Sequence, residues 1–363
     1  MAEVVLITGG AGFIGSHLAG TLAGSRYEVV VVDSLIPQVH AGAGWPDRLP
    51  SSVITHPLDV TVPTSWDALF SAVQPDVVVH LAAETGTAQS LSEASLHGRT
   101  NVVGTTELLD GLSRRGHVPR QFVLASSRAV YGEGRWVDSD GVPFYAAARD
   151  QRRLEAGLWE PAAPVGAPGP YRPLPHVAEH TEPRPANVYA ATKLAQEHVL
   201  AAWAGSRGAD LGILRLQNVF GPGQSLTNPY TGIVSMFAQR GLRGQPIDLY
   251  EDGGIVRDFV FIDDVVAALA ALVTAAPAGQ VTADVGSGEP VTLQRLAEVI
   301  AEETGAPSAH VSGRFRHGDV RAAHADVSHA AEVLGWHPEV DLRTGVQRLL
   351  AWIESSDAGR RSG

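Results

Sequence analysis

Short, almost unbroken apolar runs alternate along the chain with longer stretches in which apolar side chains return every three or four positions. Val4–Thr8, Glu28–Val32, Val53–His56, Asp76–His80 and Gln121–Ala125 are of the first kind, rich in Val. A run that lacks the in/out alternation of a half-solvated strand reads as a strand buried on both faces. The stretches from Phe13 through Leu18 and Leu22, over 64–73 and over about 92–115 are of the second kind and predict helices. Strand following helix following strand predicts an α/β chain with a doubly wound parallel sheet and right-handed crossovers. A helix over 187–205 and a sixth strand at Leu211–Leu216 continue the series, after which the pattern loosens. Gln245–Tyr250 reads as a short edge strand, with helices over 292–304 and 341–354 and a polar, frayed end from Ser355 to Gly363. The expected division is a dinucleotide-binding unit over 1–216 and a smaller mixed α/β substrate domain over most of 217–363. A segment near 255–275 is expected to pack back on the first unit. Pro, Gly, Ala and Arg dominate from 133 to 185, a connection long enough to be a functional lid or a disordered insertion.

Composition narrows the function. A chain of 363 residues with 44% apolar and 18% charged residues fits a soluble globular protein of one large domain with a smaller one, or of two domains. Its net charge of -12 would repel phosphates, which argues against a nucleic-acid partner. With no cysteine, disulfides, thiolate metal sites and Cys nucleophiles are excluded, and no metal is expected. Met1-Ala2-Glu3 leads directly into a strand, without a basic signal segment or a run long enough to span a bilayer, so the expected location is cytoplasmic and no membrane partner is implied.

The candidate chemistry centres on Tyr189 and Lys193, the only lysine in the chain. Residues four apart share a helix face, and a compact ammonium beside a phenol lowers its pKa in a way that a broad guanidinium does not match. A phenol acting as base near pH 7 needs its pKa lowered by about 3 units, roughly 4 kcal/mol, so a second cation such as an oxidised nicotinamide is the natural helper. YxxxK alone also describes an ordinary surface helix. Glycines at 9, 12 and 15 form a GxxGxxG turn between a strand and a helix, where free backbone N–H groups can bind a pyrophosphate. Asp33 ends the next strand; a carboxylate there accepts from both ribose hydroxyls and repels a 2'-phosphate, favouring NAD over NADP. Asp59-Val60 is placed to cap the adenine, and Leu81-Ala82-Ala83 follows a strand end where open α/β sheets bind ligands. His80, at that strand end, reads as a packed or hydrogen-bonded histidine. Ser126-Ser127 closes another strand with two hydroxyls, suited to a substrate oxygen or to turn chemistry.

The Gly9/Gly12/Gly15 turn, Asp33, Asp59, Leu81-Ala82-Ala83, Asn101, Ser126-Ser127 through Val130-Tyr131-Gly132, and Tyr189 with Lys193 together resemble the extended short-chain dehydrogenase/reductase family of nucleotide-sugar enzymes, with its Rossmann fold. The resemblance implies a catalytic triad of Ser127, Tyr189 and Lys193. It places NAD on Gly9, Gly12, Phe13, Ile14, Gly15, Asp33, Ser34, Asp59, Val60, Leu81, Ala82, Ala83, Asn101, Tyr189 and Lys193. The sugar nucleotide falls to Thr87, Ser127, Arg128, Asn218, Leu249, Arg257 and Arg316, with Asn218 and the two later arginines on the diphosphate. Dehydratases of the family carry an Asp-Glu pair directly after the active hydroxyl residue, where this chain has Arg128-Ala129. The phrases Ala83–Ser90 and Ser126–Gly134, with the insertion, are similar to the dTDP-L-rhamnose 4-epimerase branch. The implied activity is 4-epimerisation of a nucleotide sugar, such as a dTDP-deoxyhexose, through a transient 4-keto sugar. A 4,6-dehydratase, a 4-ketoreductase and, more remotely, a non-catalytic NAD-binding module are the alternatives. The helices beginning near 92 and 187 would pair across a twofold as the four-helix core of a homodimer.

Overall fold

A computed structural model describes residues 2–40, 44–228 and 232–361. Its centre is a seven-stranded sheet in the order Gln280–Val285, Asp210–Leu216, Gln121–Ser127, Val77–His80, Glu3–Thr8, Tyr27–Asp33, Ile54–Pro57, with every pairing parallel. Consecutive side chains along these strands enter two different cores. Val5, Ile7, Val29, Val31, Val77 and Val79 pack on one face, while Leu6, Val30, Val32, Val78, Phe122 and Leu124 pack on the other. Period-two alternation with both faces covered is why the strands read as continuous apolar runs.

The strand order reverses between Glu3–Thr8 and Val77–His80, which opens a crevice beyond their carboxyl ends. The glycine turn, Leu81-Ala82-Ala83 and Ser127 all stand at that edge. The outer strand Gln280–Val285 lies beyond residue 216, and the helix Ile262–Ala275 before it packs against the helix Phe13–Ala23. The sheet therefore draws on more of the chain than a 1–216 boundary allows.

The structure departs from the sequence reading at four places. The single helix over 92–115 is broken: Thr87–Ser92 and Ala94–His97 lead into a π-helical turn at Gly98–Val103 before the helix Gly104–Arg114. The edge strand over Gln245–Tyr250 shrinks to Asp248–Leu249, paired with His310–Val311. The 133–185 connection holds a three-stranded sheet of Arg135–Val137, Pro143–Tyr145 and Arg172–Pro173, with a short helix at Gln151–Glu155. Further on, the end expected to fray from Ser355 is helical as far as Arg361, while Ser362 and Gly363 lie outside the described residues.

Candidate active site

The first turn of the helix Val188–Arg207 carries Tyr189, and the Asn187 side chain fixes that turn by accepting from Ala190 N at 2.9 Å. Lys193 follows one turn later on the same face and is buried. Ser127 ends its strand with Oγ accepting from Ala129 N at 3.2 Å, which leaves the hydroxyl proton for the Tyr189 oxygen. Burial pushes the Tyr189 phenol above its ordinary pKa, whereas the Ser127 hydrogen bond and the Arg128 charge pull it down. Burial also lowers Lys193 to about 8, against a smaller upward pull from Glu197. The ammonium donates to Gln196 Oε1 at 2.5 Å.

The glycine turn has no room for a side chain at Gly9, Gly10 or Gly15. A Cβ on Gly15 would lie 2.5 Å from Gly9 O, and one on Gly9, whose φ is 66°, would lie 2.8 Å from Ala82 N. Gly12 begins the helix Phe13–Ala23 without a side-chain cap, so the first N–H groups remain available to an anion. Asp33 accepts from Ala11 N at 3.0 Å and Leu35 N at 2.8 Å, which holds the carboxylate against the turn. An uncapped glycine-lined helix start beside an oriented carboxylate fits the diphosphate and ribose of a dinucleotide. Phe13 and Ile14 are half-buried against the core, Ser34 is exposed, and Asp59 is exposed with Oδ1 accepting from Thr61 N at 2.8 Å. Val60 is buried under Gly104. Leu81, Ala82 and Ala83 are half-buried at the edge of the crevice.

Asn101 is held by three hydrogen bonds within the protein. Its Oδ1 accepts from Glu84 N at 2.7 Å, and Nδ2 donates to Glu84 O at 3.0 Å and to Thr192 Oγ1 at 2.9 Å. With both N–H groups committed, this buried amide pins the 81–84 segment to the Tyr189 helix.

At the substrate side, Arg128 Nε donates to Asn218 Oδ1 at 2.7 Å. Burial and then the Arg257 charge push against the charged form of Arg128, bringing its pKa down to about 9. Arg257 is also buried, with Nη2 donating to Asp319 Oδ1 at 2.5 Å and Val320 O at 2.8 Å and Nη1 to Val256 O at 2.7 Å, which leaves Nε and one Nη1 N–H for a ligand. Burial would raise Asp319, but Arg257, Arg128 and Arg149 outweigh it and hold its carboxyl below the usual range. Two crowded guanidiniums thus stand beside Asn218, and a diphosphate would relieve their repulsion. Arg128, more than Arg257, has donors left for it. Arg316 is exposed, 5.1 Å over the Tyr250 ring, which follows buried Leu249. Thr87 opens its helix half-buried, just after Gly86 at φ 113°. Among the described residues no group of three or more His, Asp or Glu side chains could hold a metal ion.

A parallel sheet with a glycine turn at its switch point and a Ser–Tyr–Lys cluster at its carboxyl edge defines a dinucleotide-dependent enzyme of the short-chain type. The pattern of the NAD dependent epimerase/dehydratase family matches residues 5–148 and 162–286, and the chain belongs to that family. The dTDP-L-rhamnose 4-epimerase of Burkholderia thailandensis is 48% identical over 349 residues, spanning 96% of this chain and 94% of its own. A dTDP-glucose 4,6-dehydratase of Streptomyces griseus is 31% identical, over 97% of this chain and 94% of its own. The UDP-glucose 4-epimerase of Thermus thermophilus, solved in complex with NAD, superposes with a TM-score of 0.76 at 28% identity, covering 98% of this chain and 100% of that one. NAD is the cofactor of this family, in keeping with the Asp33 carboxylate.

Residues the sequence left unmarked complete the surroundings. Gln196, Thr105, Arg149, Glu251 and Arg321 all make buried polar contacts around the site. Only Gln196 carried a local signal, as a polar side chain one turn beyond Lys193 on a face that must be buried.

Proposed function

We propose that the chain is an NAD-dependent nucleotide-sugar 4-epimerase acting on a dTDP-linked deoxyhexose. The observation that carries this reading over dehydration is the side chain after Ser127. Elimination needs a second acid/base pair there, and position 128 holds a guanidinium bonded to Asn218. The substrate assignment is supported by the 48% identity to the dTDP-L-rhamnose 4-epimerase.

NAD, held by the Gly9–Gly15 turn and the Asp33 carboxylate, would supply a reversible hydride acceptor for C4, so that a 4-keto sugar presenting its other face would regain its hydride with inverted configuration. Tyr189, as phenolate, takes the proton of the 4-hydroxyl and gives it back. Ser127 donates to the same oxygen, which keeps that proton transfer in line. Lys193 favours the phenolate through its charge. Arg128, with Asn218 and Arg257, holds the diphosphate while the hexose turns, so binding energy is spent away from the reacting carbon. Arg316 is the further arginine for the diphosphate, Leu249 flanks the place of the base, and Thr87 that of the sugar. The working unit is a homodimer built on the helices that start near 92 and at Val188, and the enzyme works in the cytoplasm. Among the described residues no helix is long and apolar enough to cross a membrane.

The direct test follows C4 configuration by proton NMR with dTDP-L-rhamnose, dTDP-glucose, UDP-glucose or UDP-glucuronate, each supplied alone. An equilibrium pair of 4-epimers is expected from the dTDP-deoxysugar. Tyr189→Phe should lower turnover at least about a thousandfold, the scale of a lost general base, with sugar-nucleotide binding retained. A 4-keto-6-deoxy product, or full turnover by the Phe variant, would overturn the reading.

A further inference from the structure

The lysine ammonium is the start of a buried hydrogen-bonded string that ends at the cofactor turn. Lys193 Nζ donates to Gln196 Oε1 at 2.5 Å, and Gln196 Nε2 donates to Thr105 Oγ1 at 2.9 Å. The Thr105 hydroxyl gives its own proton to Asn101 O at 2.6 Å. Its oxygen also lies 2.9 Å from His80 Nε2. A hydroxyl whose only proton is committed can only accept from its other partners. His80 therefore carries its proton on Nε2, and its Nδ1 accepts from Thr8 Oγ1 at 2.7 Å. The Thr8 oxygen in turn accepts from Ala82 N at 3.1 Å.

The same logic fixes the Gln196 amide, because an amide turned the other way would set its carbonyl against the oxygen of Thr105 and aim an N–H at the ammonium. Gln196 Nε2 and His80 Nε2, 3.2 Å apart, are both donors and gain nothing from each other. Gln196, Thr105, His80 and Thr8 are all wholly shielded from solvent, so no water can replace a missing partner. Thr8 precedes the Gly9 turn and Ala82 lies beyond the neighbouring strand, so the string ties the ammonium to both sides of the crevice.

We propose that Gln196 is a positioning residue for Lys193: its carbonyl is the fixed acceptor that keeps the ammonium charged and aimed, with an orientation set by Thr105, His80 and Thr8. The inference rests on the reading of Lys193 as the cation that serves Tyr189. The titratable groups around the ammonium are Tyr189 and Glu197 on its own helix and His80 at the end of Val77–His80. Glu197 is occupied by Arg215 at 2.7 Å and by Ser126. His80 is held neutral, lowered to about 3 by burial and then by Lys193 itself. Neither replaces the Gln196 carbonyl as the direct acceptor.

Because Lys193 is the only lysine, protein grown with lysine carrying 13C at Cε gives one side-chain resonance whose shift reports the ammonium alone. The probe is that resonance in the full-length protein, titrated without sugar nucleotide. Gln196→Met keeps the length and removes the acceptor, and its midpoint should fall by at least about one pH unit. Gln196→Glu supplies a charged acceptor of the same shape, and its midpoint should rise by a comparable amount. Should the Met variant fail to fold, the Glu variant still decides. Midpoints of the folded variants that stay at the wild-type value would overturn the proposal and leave Gln196 a packing residue. The titration needs no turnover, so it stands even if no sugar is epimerised. Where turnover is seen, the acid limb of kcat should move to higher pH in Gln196→Met with KM unchanged, and return toward wild type in Gln196→Glu.

Discussion

Single buried side chains set how this protein responds to acid. His176 is almost wholly shielded, its ring centroid 4.4 Å from that of Tyr131. Burial, followed by the charge of Arg128, lowers it to about 3 from an ordinary 6.5. The folded protein thus keeps the ring neutral while the unfolded chain protonates it. The resulting stability is complete above pH 6.5 and is lost as pH falls from there toward 3. Between those limits one extra proton on the unfolded chain makes a slope of about 1.4 kcal/mol per pH unit. His176→Phe retains an aromatic ring against Tyr131 and cannot take the proton. Its free energy of unfolding, from urea titrations at about pH 4, 5 and 6, should have a pH dependence shallower than wild type by about that slope. Equal slopes would show that His176 is protonated in the folded protein.

At the scale of elements, the sequence was most informative wherever burial acts on neighbouring residues of one segment. Strands covered on both faces leave an apolar run, and a glycine turn whose Cβ positions would meet Gly9 O or Ala82 N leaves its spacing. Tyr189 and Lys193 were equally plain because one helical turn joins them. The 92–115 segment misled because its apolar period persists through a π turn, within which Asn101 reaches back to Glu84. The insertion's strands are two or three residues long, too short for any period to register. Gln196 and Thr105 could not be paired from sequence, being 91 residues apart. These same elements carry the proposed dimer. Leu96 and Val103 stand 38% and 43% exposed, and the helix Val188–Arg207 exposes Ala191, His198 and Ala202 at positions that share one face. Ala191 and Ala202 there would let a partner helix approach closely. Val103→Glu should bring the mass by light scattering from about twice 38.2 kDa to 38.2 kDa at micromolar concentration. A wild-type mass of 38.2 kDa would exclude the dimer.

Across the whole molecule, the insertion is joined to the substrate side by a buried ion-pair network. Arg149, inside the insertion, lies 3.3 Å from Glu133 and 2.6 Å from Glu251, and donates to Asp319 O at 2.7 Å. Arg321 bonds Glu160 at 3.0 Å, Glu251 at 3.0 Å and Asp252 at 2.8 Å. Glu251 shares both arginines while its backbone stands at φ 55°, a left-handed conformation that costs a non-glycine residue about 1 kcal/mol. The network thereby holds two loops in place: the one after Leu249 and Tyr250, and the one carrying Asp319, which anchors Arg257. A brace of this kind serves an enzyme whose diphosphate must stay still while its sugar turns. Arg149→Met keeps the apolar stem and strips the charge, leaving Glu133 and Glu251 short of a partner in a dry site. The loss should be about 3–5 kcal/mol, the scale of a broken buried ion pair. Free from that anchor, the insertion should be cut by thermolysin within 133–185 well before the sheet unfolds. The KM for the sugar nucleotide should rise about tenfold, with kcat less affected, because the loss falls on binding groups remote from C4. Cleavage by thermolysin no faster than in wild type, with an unchanged KM, would mean that Arg321 alone maintains the brace.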